Sequence, residues 1–135
     1  MNKSYEEINY FLRIKKQIER KIIIETLQHL DIKVSSYHYV GMGSIYFVDF
    51  VLFHKYLNIR LLTSIDDKEE DETRFKFNKP FGFIDFHVND INYYIQNLLE
   101  WQKKLFLWLD YDNEIDKDKL EAIEYVASKA KPNDL

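Results

Sequence analysis

The stretch YHYVGMGSIYFVDFVLFHKYLNI, residues 37–59, joins a short β-like run to a long apolar run through two glycines. The run that ends at Gly41 predicts a strand. Residues 45–57 are apolar nearly all round, which is typical of a helix buried on several sides. Only three glycines occur in the chain, so placing Gly41 and Gly43 at this junction calls for a reason. A tight turn, or a loop that lets a ligand approach the backbone, would each supply one.

Apolar strands and helices alternate on both sides of this unit. Upstream, Ser4 and Glu7 form a capping-box pattern that predicts a helix over residues 5–30. Its predicted apolar face consists of Ile8, Phe11, Leu12, Ile18, Ile22, Ile23, Leu27 and Leu30. Downstream, IRLLTSID, GFIDFHV and KLFLWLDYD predict three more strands. Helical segments are predicted within residues 67–77, 89–99 and 116–130.

The resulting order, α-β-α-β-α-β-α-β-α, indicates an α/β fold. We expect a Rossmann-like parallel sheet of about four strands flanked by helices and preceded by the long N-terminal helix. The βα units span residues 36–131. No repeat or linker divides the chain, so residues 1–135 are predicted to form a single domain.

Composition narrows the class of protein. A net charge of −4 argues against a protein that coats nucleic acid, so a nucleic-acid partner is not expected. The absence of cysteine excludes disulfides and thiolate metal sites, and it suits a reducing cytoplasm. No apolar segment approaches the roughly 20 residues that span a membrane, and residues 1–16 lack a signal-peptide layout. The predicted location is therefore cytoplasmic.

The four strand ends carry the candidate binding residues. In open parallel sheets, ligands bind beyond the carboxyl ends of the strands, where the strand order reverses. The segments that follow the strands are Gly41-Met42-Gly43-Ser44, Asp66-Asp67, Asn89-Asp90 and Asp110-Tyr111-Asp112. Asp66 lies 23 residues beyond Gly43, a spacing at which a carboxylate can accept ribose hydroxyls. The alternative is that the carboxylates only cap helices, but convergence at one edge favours a nucleotide site.

Several segments resemble a known family. VGMGSIYFVDF, LLTSIDDKEEDETRFKFNKPF, NDINYYI and LFLWLDYD are similar to the first four βα units of class I S-adenosylmethionine-dependent methyltransferases. More narrowly, QIERKIIIETL, GMGSIYFVDF, RFKFNKPF and LWLDYD resemble a group of bacterial proteins labelled as O-methyltransferases. The resemblance covers almost the whole chain. It implies a truncated form of the family's fold and the transfer of a methyl group to an oxygen acceptor.

The resemblance also implies roles for the strand-end residues. The loop from Gly41 to Ser44 would hold the amino-acid end of S-adenosylmethionine. Asp66, with Asp67 beside it, would hold the ribose, and Asp90 would lie near the adenine. Asp110 would face the methyl group or the acceptor. The chain departs from the family where Ser44 and Ile45 replace a further glycine. No Asn-Pro-Pro-Tyr follows strand four, which argues against methylation of base amino groups.

The fourth strand raises the question of partners. The family's sheet has about seven strands, so LFLWLD would form an exposed apolar edge here, which soluble proteins avoid. We therefore expect a second copy or a partner chain to cover it. An alternative function follows from the same edge: a catalytically silent Rossmann-like interaction module, or a subunit that docks a partner through the edge.

Other polar residues carry weaker hypotheses. His38 lies near the glycine loop in sequence and could act with Asp110 in catalysis, as a general base with a pKa near neutrality. His54 is predicted to be a core histidine. Residues 110–113 could bind Mg²⁺, but a turn and a helix cap explain them better, so no metal is expected. Glu19 either pairs with a nearby Lys or Arg or reaches the ligand site.

The N-terminal helix is also basic. Its cluster of cations consists of Arg13, Lys15, Lys16, Arg20 and Lys21. Such a cluster could contact phosphates, and a nucleic-acid adaptor is a third hypothesis for the function. A solvated helix face is the simpler interpretation.

Overall fold

The computed structural model describes residues 13–135, which form alternating helices and strands. The elements are α1 (Ile14–His29), β1 (His38–Met42), α2 (Val48–Leu57), β2 (Leu61–Asp66), α3 (Glu72–Asn78), β3 (Ile84–Val88), α4 (Ile91–Asn97), β4 (Leu105–Trp108) and α5 (Lys117–Lys129). This order confirms the predicted α/β alternation. The predicted capping box at Ser4 and Glu7 lies outside the described residues. No helix in the described part of the chain is long and apolar enough to cross a membrane.

The four strands form one parallel sheet in the order β3-β2-β1-β4. Gly41 lies opposite Ser64 on one side and Trp108 on the other, so the carboxyl ends of the central strands are level. The chain proceeds outward from β1 to β3 and then returns to the other side of β1. The strand order therefore reverses between β1 and β4, as the Rossmann-like prediction requires.

Helices cover both faces of the sheet, and each face has its own apolar cluster. On one face α1, α2 and α3 pack over an aromatic core. At its centre, the centroid of the Tyr39 ring lies 4.8 Å from that of Phe53 and 4.9 Å from that of Phe106, and both ring pairs are in edge-on contact. On the other face α4 and α5 pack over β1, β2 and β4. Burial of both faces explains why the strands are continuously apolar.

The buried face of α1 differs from the predicted one. Ile18 and Ile22 were expected in the core but are 54% and 58% exposed, whereas Arg20 and Ile24 are buried. Helix α1 packs mainly against α2 rather than against the sheet, so it buries a narrower face than its apolar pattern suggests. That face is rotated so that Arg20 meets a carboxylate on α2.

Strand β4 lies at an edge of the sheet, and the end of the chain begins to pair with it. The Leu135 N–H donates to the Leu105 carbonyl, and the Leu107 N–H donates to the Leu135 carbonyl, each at 2.9 Å. This alternation is the parallel-sheet pattern. The expectation of a bare edge is therefore wrong for the first part of β4, which the chain's own last residue covers.

Candidate functional site

The glycine loop follows β1, beside the point where the strand order reverses. Neither Gly41 nor Gly43 has a positive φ angle. A Cβ on Gly41 would overlap the Tyr39 hydroxyl, and a Cβ on Gly43 would overlap Ser64 Oγ. A tight turn that needs the left-handed backbone of glycine therefore does not explain these two positions. The glycines are needed because other protein atoms approach the backbone closely.

The left-handed residue of this loop is a phenylalanine. Phe47 has φ 50° and is fully buried, and it immediately precedes α2. Its N–H donates to the Ser44 carbonyl at 3.0 Å, which closes a turn after Gly43. A bulky residue in the left-handed region is unusual and stores backbone strain. The loop between β1 and α2 is therefore held in a fixed, strained shape.

Asp66 and Asp67 lie at the carboxyl end of β2, next to the glycine loop. Asp66 is the last residue of the strand and is 4% exposed, whereas Asp67 is exposed. The Lys68 N–H donates to Asp66 Oδ1 at 2.9 Å, and the Gly43 N–H donates to the Ile65 carbonyl at 3.2 Å. The second of these bonds joins the end of β2 to the glycine loop. The structure thus brings Asp66 and Gly43 to the same edge.

Asp90 caps α4, as the helix-cap interpretation predicts. Its Oδ1 accepts a hydrogen bond from the Tyr93 N–H at 2.9 Å. Close by, the Tyr111 hydroxyl donates to Asn92 Oδ1 at 2.7 Å. Burial, together with the charge of Asp90, raises the pKa of Tyr111 above its ordinary value. Asp90 therefore borders the segment that follows β4.

Asp110 follows β4 on the other side of the switch point from β2, and it is bound by the N-terminal helix. Lys16 Nζ lies 2.6 Å and 2.7 Å from the two Asp110 carboxylate oxygens, and 3.2 Å from Glu19 Oε2. Burial lowers the pKa of Lys16, but the hydrogen bonds and charges of Asp110 and Glu19 together outweigh it, so the pKa is raised. Glu19 thus pairs with a lysine, which was one of its two predicted roles.

A second ion pair joins α1 to α2. Arg20 Nε donates to Asp49 Oδ1, and the Arg20 side chain is 1% exposed and that of Asp49 14% exposed. Burial raises the pKa of Asp49, while the charge and hydrogen bond of Arg20 oppose that shift. The charge of Asp110 also raises it, so the two carboxylates interact. Lys16 and Arg20 are therefore turned inward, which contradicts the predicted solvated face for these two residues.

His38 lies away from the other candidates. It is the first residue of β1, and four residues of strand, about 13 Å, separate it from the carboxyl end at Met42. Its Nε2 is 2.7 Å from Thr63 Oγ1 in a buried position. The structure thus brings together Gly41, Met42, Gly43, Ser44, Asp66, Asp67, Asp90 and Asp110 at the carboxyl edge and leaves His38 at the amino edge.

The environment of His38 leads to a prediction about stability. Burial, aided by the charge of Lys103, lowers its pKa. His38 in the unfolded chain therefore takes up a proton near pH 6.5, whereas His38 in the folded chain does so only at lower pH. The free energy of unfolding that is present above about pH 6.5 is therefore lost as the pH falls. Chemical denaturation at several pH values should show this loss between about pH 7 and 5. His38→Gln should flatten the profile, and the exposed His29→Gln should not; equal profiles for all three proteins would contradict it.

Two other features lie outside this edge. His54 Nδ1 is 2.9 Å from the Ile59 carbonyl and its ring contacts Phe81, so the ring is hydrogen-bonded as predicted, but it is half-buried rather than in the core. A cavity of about 550 Å³ lies between α1 and α2, and none of the residues predicted at the strand ends line it. Within residues 13–135 there is no group of three or more His, Asp or Glu arranged to hold a metal ion.

Sequence reasoning missed Lys16, Arg20 and Asp49 as neighbours of the site. Their positions depend on how α1 is rotated about its axis. The apolar pattern of α1 predicted a different rotation. The one available signal was the charge of Glu19 in the middle of the predicted apolar face of α1. A buried charge requires a partner, so it indicated a contact without naming it.

Comparison with known proteins identifies the family. A family model described as "Putative O-methyltransferase" matches residues 8–135. Comparisons with curated proteins and with solved structures gave no significant match. The family match spans nearly the whole chain, including the glycine loop and all four strand ends. The chain therefore belongs to the family described as "Putative O-methyltransferase".

Proposed function

We propose that the chain binds S-adenosylmethionine at the carboxyl edge of its sheet and transfers a methyl group to an oxygen acceptor. The observation that carries this proposal is the position of the glycine loop and Asp110 on the two strands that flank the switch point, in a chain of this family. Ligands of open α/β sheets bind at that position. The cysteine-free sequence supports a cytoplasmic location.

The chemistry of the edge fits this cofactor. S-adenosylmethionine carries a positive sulfonium and ribose hydroxyls, and carboxylates complement both. Asp66, Asp90 and Asp110 supply three carboxylates at one edge of the sheet. Asp90 uses one oxygen to cap α4, and a carboxylate has about four acceptor positions, so capping and ligand binding are compatible.

The chain's own residues would position the reactants. The bound cofactor supplies an electrophilic methyl group, and its in-line transfer depends on alignment and on a base for the acceptor hydroxyl. Asp110 is the candidate base because it lies at the switch point and is 31% exposed. We assign His38 no part in the transfer, because it lies at the opposite edge.

Isothermal titration of residues 1–135 with S-adenosylmethionine and S-adenosylhomocysteine tests the proposal. We expect saturable binding of both at one site per chain. Asp66→Asn should weaken both affinities by tenfold or more, the loss of about 1.4 kcal/mol for a ribose contact. Asp118→Asn, an exposed change on α5, should leave them unchanged. Absence of binding at millimolar ligand, with the protein folded and in its own oligomeric state, would refute the function.

We further propose that a second copy or a partner chain completes the sheet along β4. Leu135 lies at the outer edge of β4 and forms hydrogen bonds with Leu105 and Leu107 in the parallel pattern, so one residue already pairs with this edge. Beyond Leu107 the edge continues through Trp108 and Leu109, which are apolar and half-buried, and such edges favour pairing with another chain. Light scattering at tens of micromolar should therefore show a species larger than 16.5 kDa. A monodisperse monomer would contradict the proposal.

A further inference from the structure

The ammonium group of Lys16 has no capacity left for a ligand. A lysine has three N–H donors, and three carboxylate oxygens lie within 3.2 Å of Nζ, two from Asp110 and one from Glu19. On another side Nζ lies 5.8 Å from the centroid of the Trp108 ring. Its side chain is only 16% exposed. Lys16 is thus fixed by its protein contacts and cannot act by contacting a ligand itself.

Asp110 does retain capacity. Lys16 occupies one acceptor position on each of its oxygens, out of about four on a carboxylate. One turn along α1 from Lys16, Arg20 Nε donates to Asp49 Oδ1. Without Lys16, Asp110 would lose the two hydrogen bonds that fix its carboxylate. Helix α1 therefore holds the end of β4 and the start of α2 in a fixed relation.

We infer that Lys16 is a positioning residue of the methyl-transfer site: it fixes the Asp110 carboxylate at the switch point, where that carboxylate favours the positively charged cofactor over its neutral product. The inference rests on the proposed function. It assigns a specific task to the N-terminal helix, which contributes no residue to the strand ends.

The ratio of two affinities tests this inference. S-adenosylmethionine carries the sulfonium charge and S-adenosylhomocysteine does not, so the preference for the former reports how close Asp110 is held. Isothermal titration would give this preference for the wild type, Asp110→Asn, Lys16→Met, Lys16→Arg and the double variant Lys16→Met/Asp110→Asn. Lys21→Met is the matched control, since Lys21 lies on the same helix and is 75% exposed.

A positioning role of Lys16 and its other possible roles predict different changes in the preference for S-adenosylmethionine. Asp110→Asn should lower the preference about threefold, the size expected for one unit charge acting on another across several ångströms of water. If Lys16 positions Asp110, Lys16→Met lowers the preference similarly and has no further effect in the double variant. Lys16→Arg should retain the preference, and Lys21→Met should leave it unchanged.

Three results would overturn the inference. A rise in the preference in Lys16→Met would mean that Lys16 acts only through its own charge. An equal weakening of both ligands would mean that it serves only the structure of α1. A further fall in the double variant would mean that it acts independently of Asp110. If the wild type binds neither ligand, the proposed function itself fails, and this result is distinct from the other three.

Discussion

Arg20→Met is expected to lower the free energy of unfolding by about 3–5 kcal/mol at pH 7. Arg20 is 1% exposed and its guanidinium is the partner of Asp49, itself only 14% exposed. Methionine fills much of the same volume but leaves a buried carboxylate without its counter-charge. Urea denaturation followed by circular dichroism would measure the loss.

The pH dependence identifies the cause. Protonation of Asp49 removes the unpaired charge, and its pKa is already raised by burial. The difference between Arg20→Met and the wild type should therefore shrink as the pH falls toward 4. The double variant Arg20→Met/Asp49→Leu should recover most of the lost stability, because neither charge is then buried alone.

An exposed pair on the same helix provides the comparison. Lys21 and Glu25 are 3.8 Å apart and both are solvent-exposed, so Lys21→Met should change the free energy of unfolding by less than about 0.5 kcal/mol. A loss below about 1 kcal/mol in Arg20→Met, or a loss independent of pH, would show that an unpaired Asp49 charge is not what destabilises this variant.

The parts of the fold that follow from local pattern were predictable. Continuous apolar runs, each followed by an amphipathic helix, admit few arrangements other than a covered parallel sheet. Once the strands are parallel, their carboxyl ends lie at one edge, so Gly43, Asp66 and Asp110 had to converge. The reversal of strand order between β1 and β4 did not follow from the pattern.

The contacts of α1 could not be predicted in the same way. A helix with apolar residues over a broad arc can bury any part of that arc, and the choice depends on its neighbours. Here the buried carboxylate of Asp49 favours a rotation that buries Arg20 and exposes Ile18 and Ile22. The sequence places Lys16 and Asp110 94 residues apart, and neither residue has a local feature that indicates the other.

The reason for the glycines was also beyond the local pattern. Neither position has a positive φ angle, so no preference for a left-handed turn distinguishes them. What excludes a side chain is the presence of Tyr39 and Ser64, and the Ser64 side chain belongs to a different strand. Only the register of β1 with β2, which pairs Gly41 with Ser64, brings that strand close.

Gly41→Ala is expected to destabilise the protein by about 1–3 kcal/mol, the usual cost of overpacking a core. The added Cβ would overlap the Tyr39 hydroxyl and approach the ring atom Cε1 to 3.1 Å. The ring cannot move aside easily, because Phe50, Phe53 and Phe106 surround it with centroids 4.8–5.1 Å away. Thermal or urea denaturation would measure the effect.

Two further variants distinguish this clash from a general effect of replacing glycine. Gly82→Ala places its Cβ more than 4 Å from any neighbouring heavy atom, so its stability should stay within about 0.5 kcal/mol of the wild type. Tyr39→Leu removes the atoms that the new Cβ meets. In that background Gly41→Ala should cost much less than alone, since residues in contact are not additive. An equal cost in both backgrounds would mean that Tyr39 is not what requires glycine at position 41, and the close-packing explanation of the loop would fail.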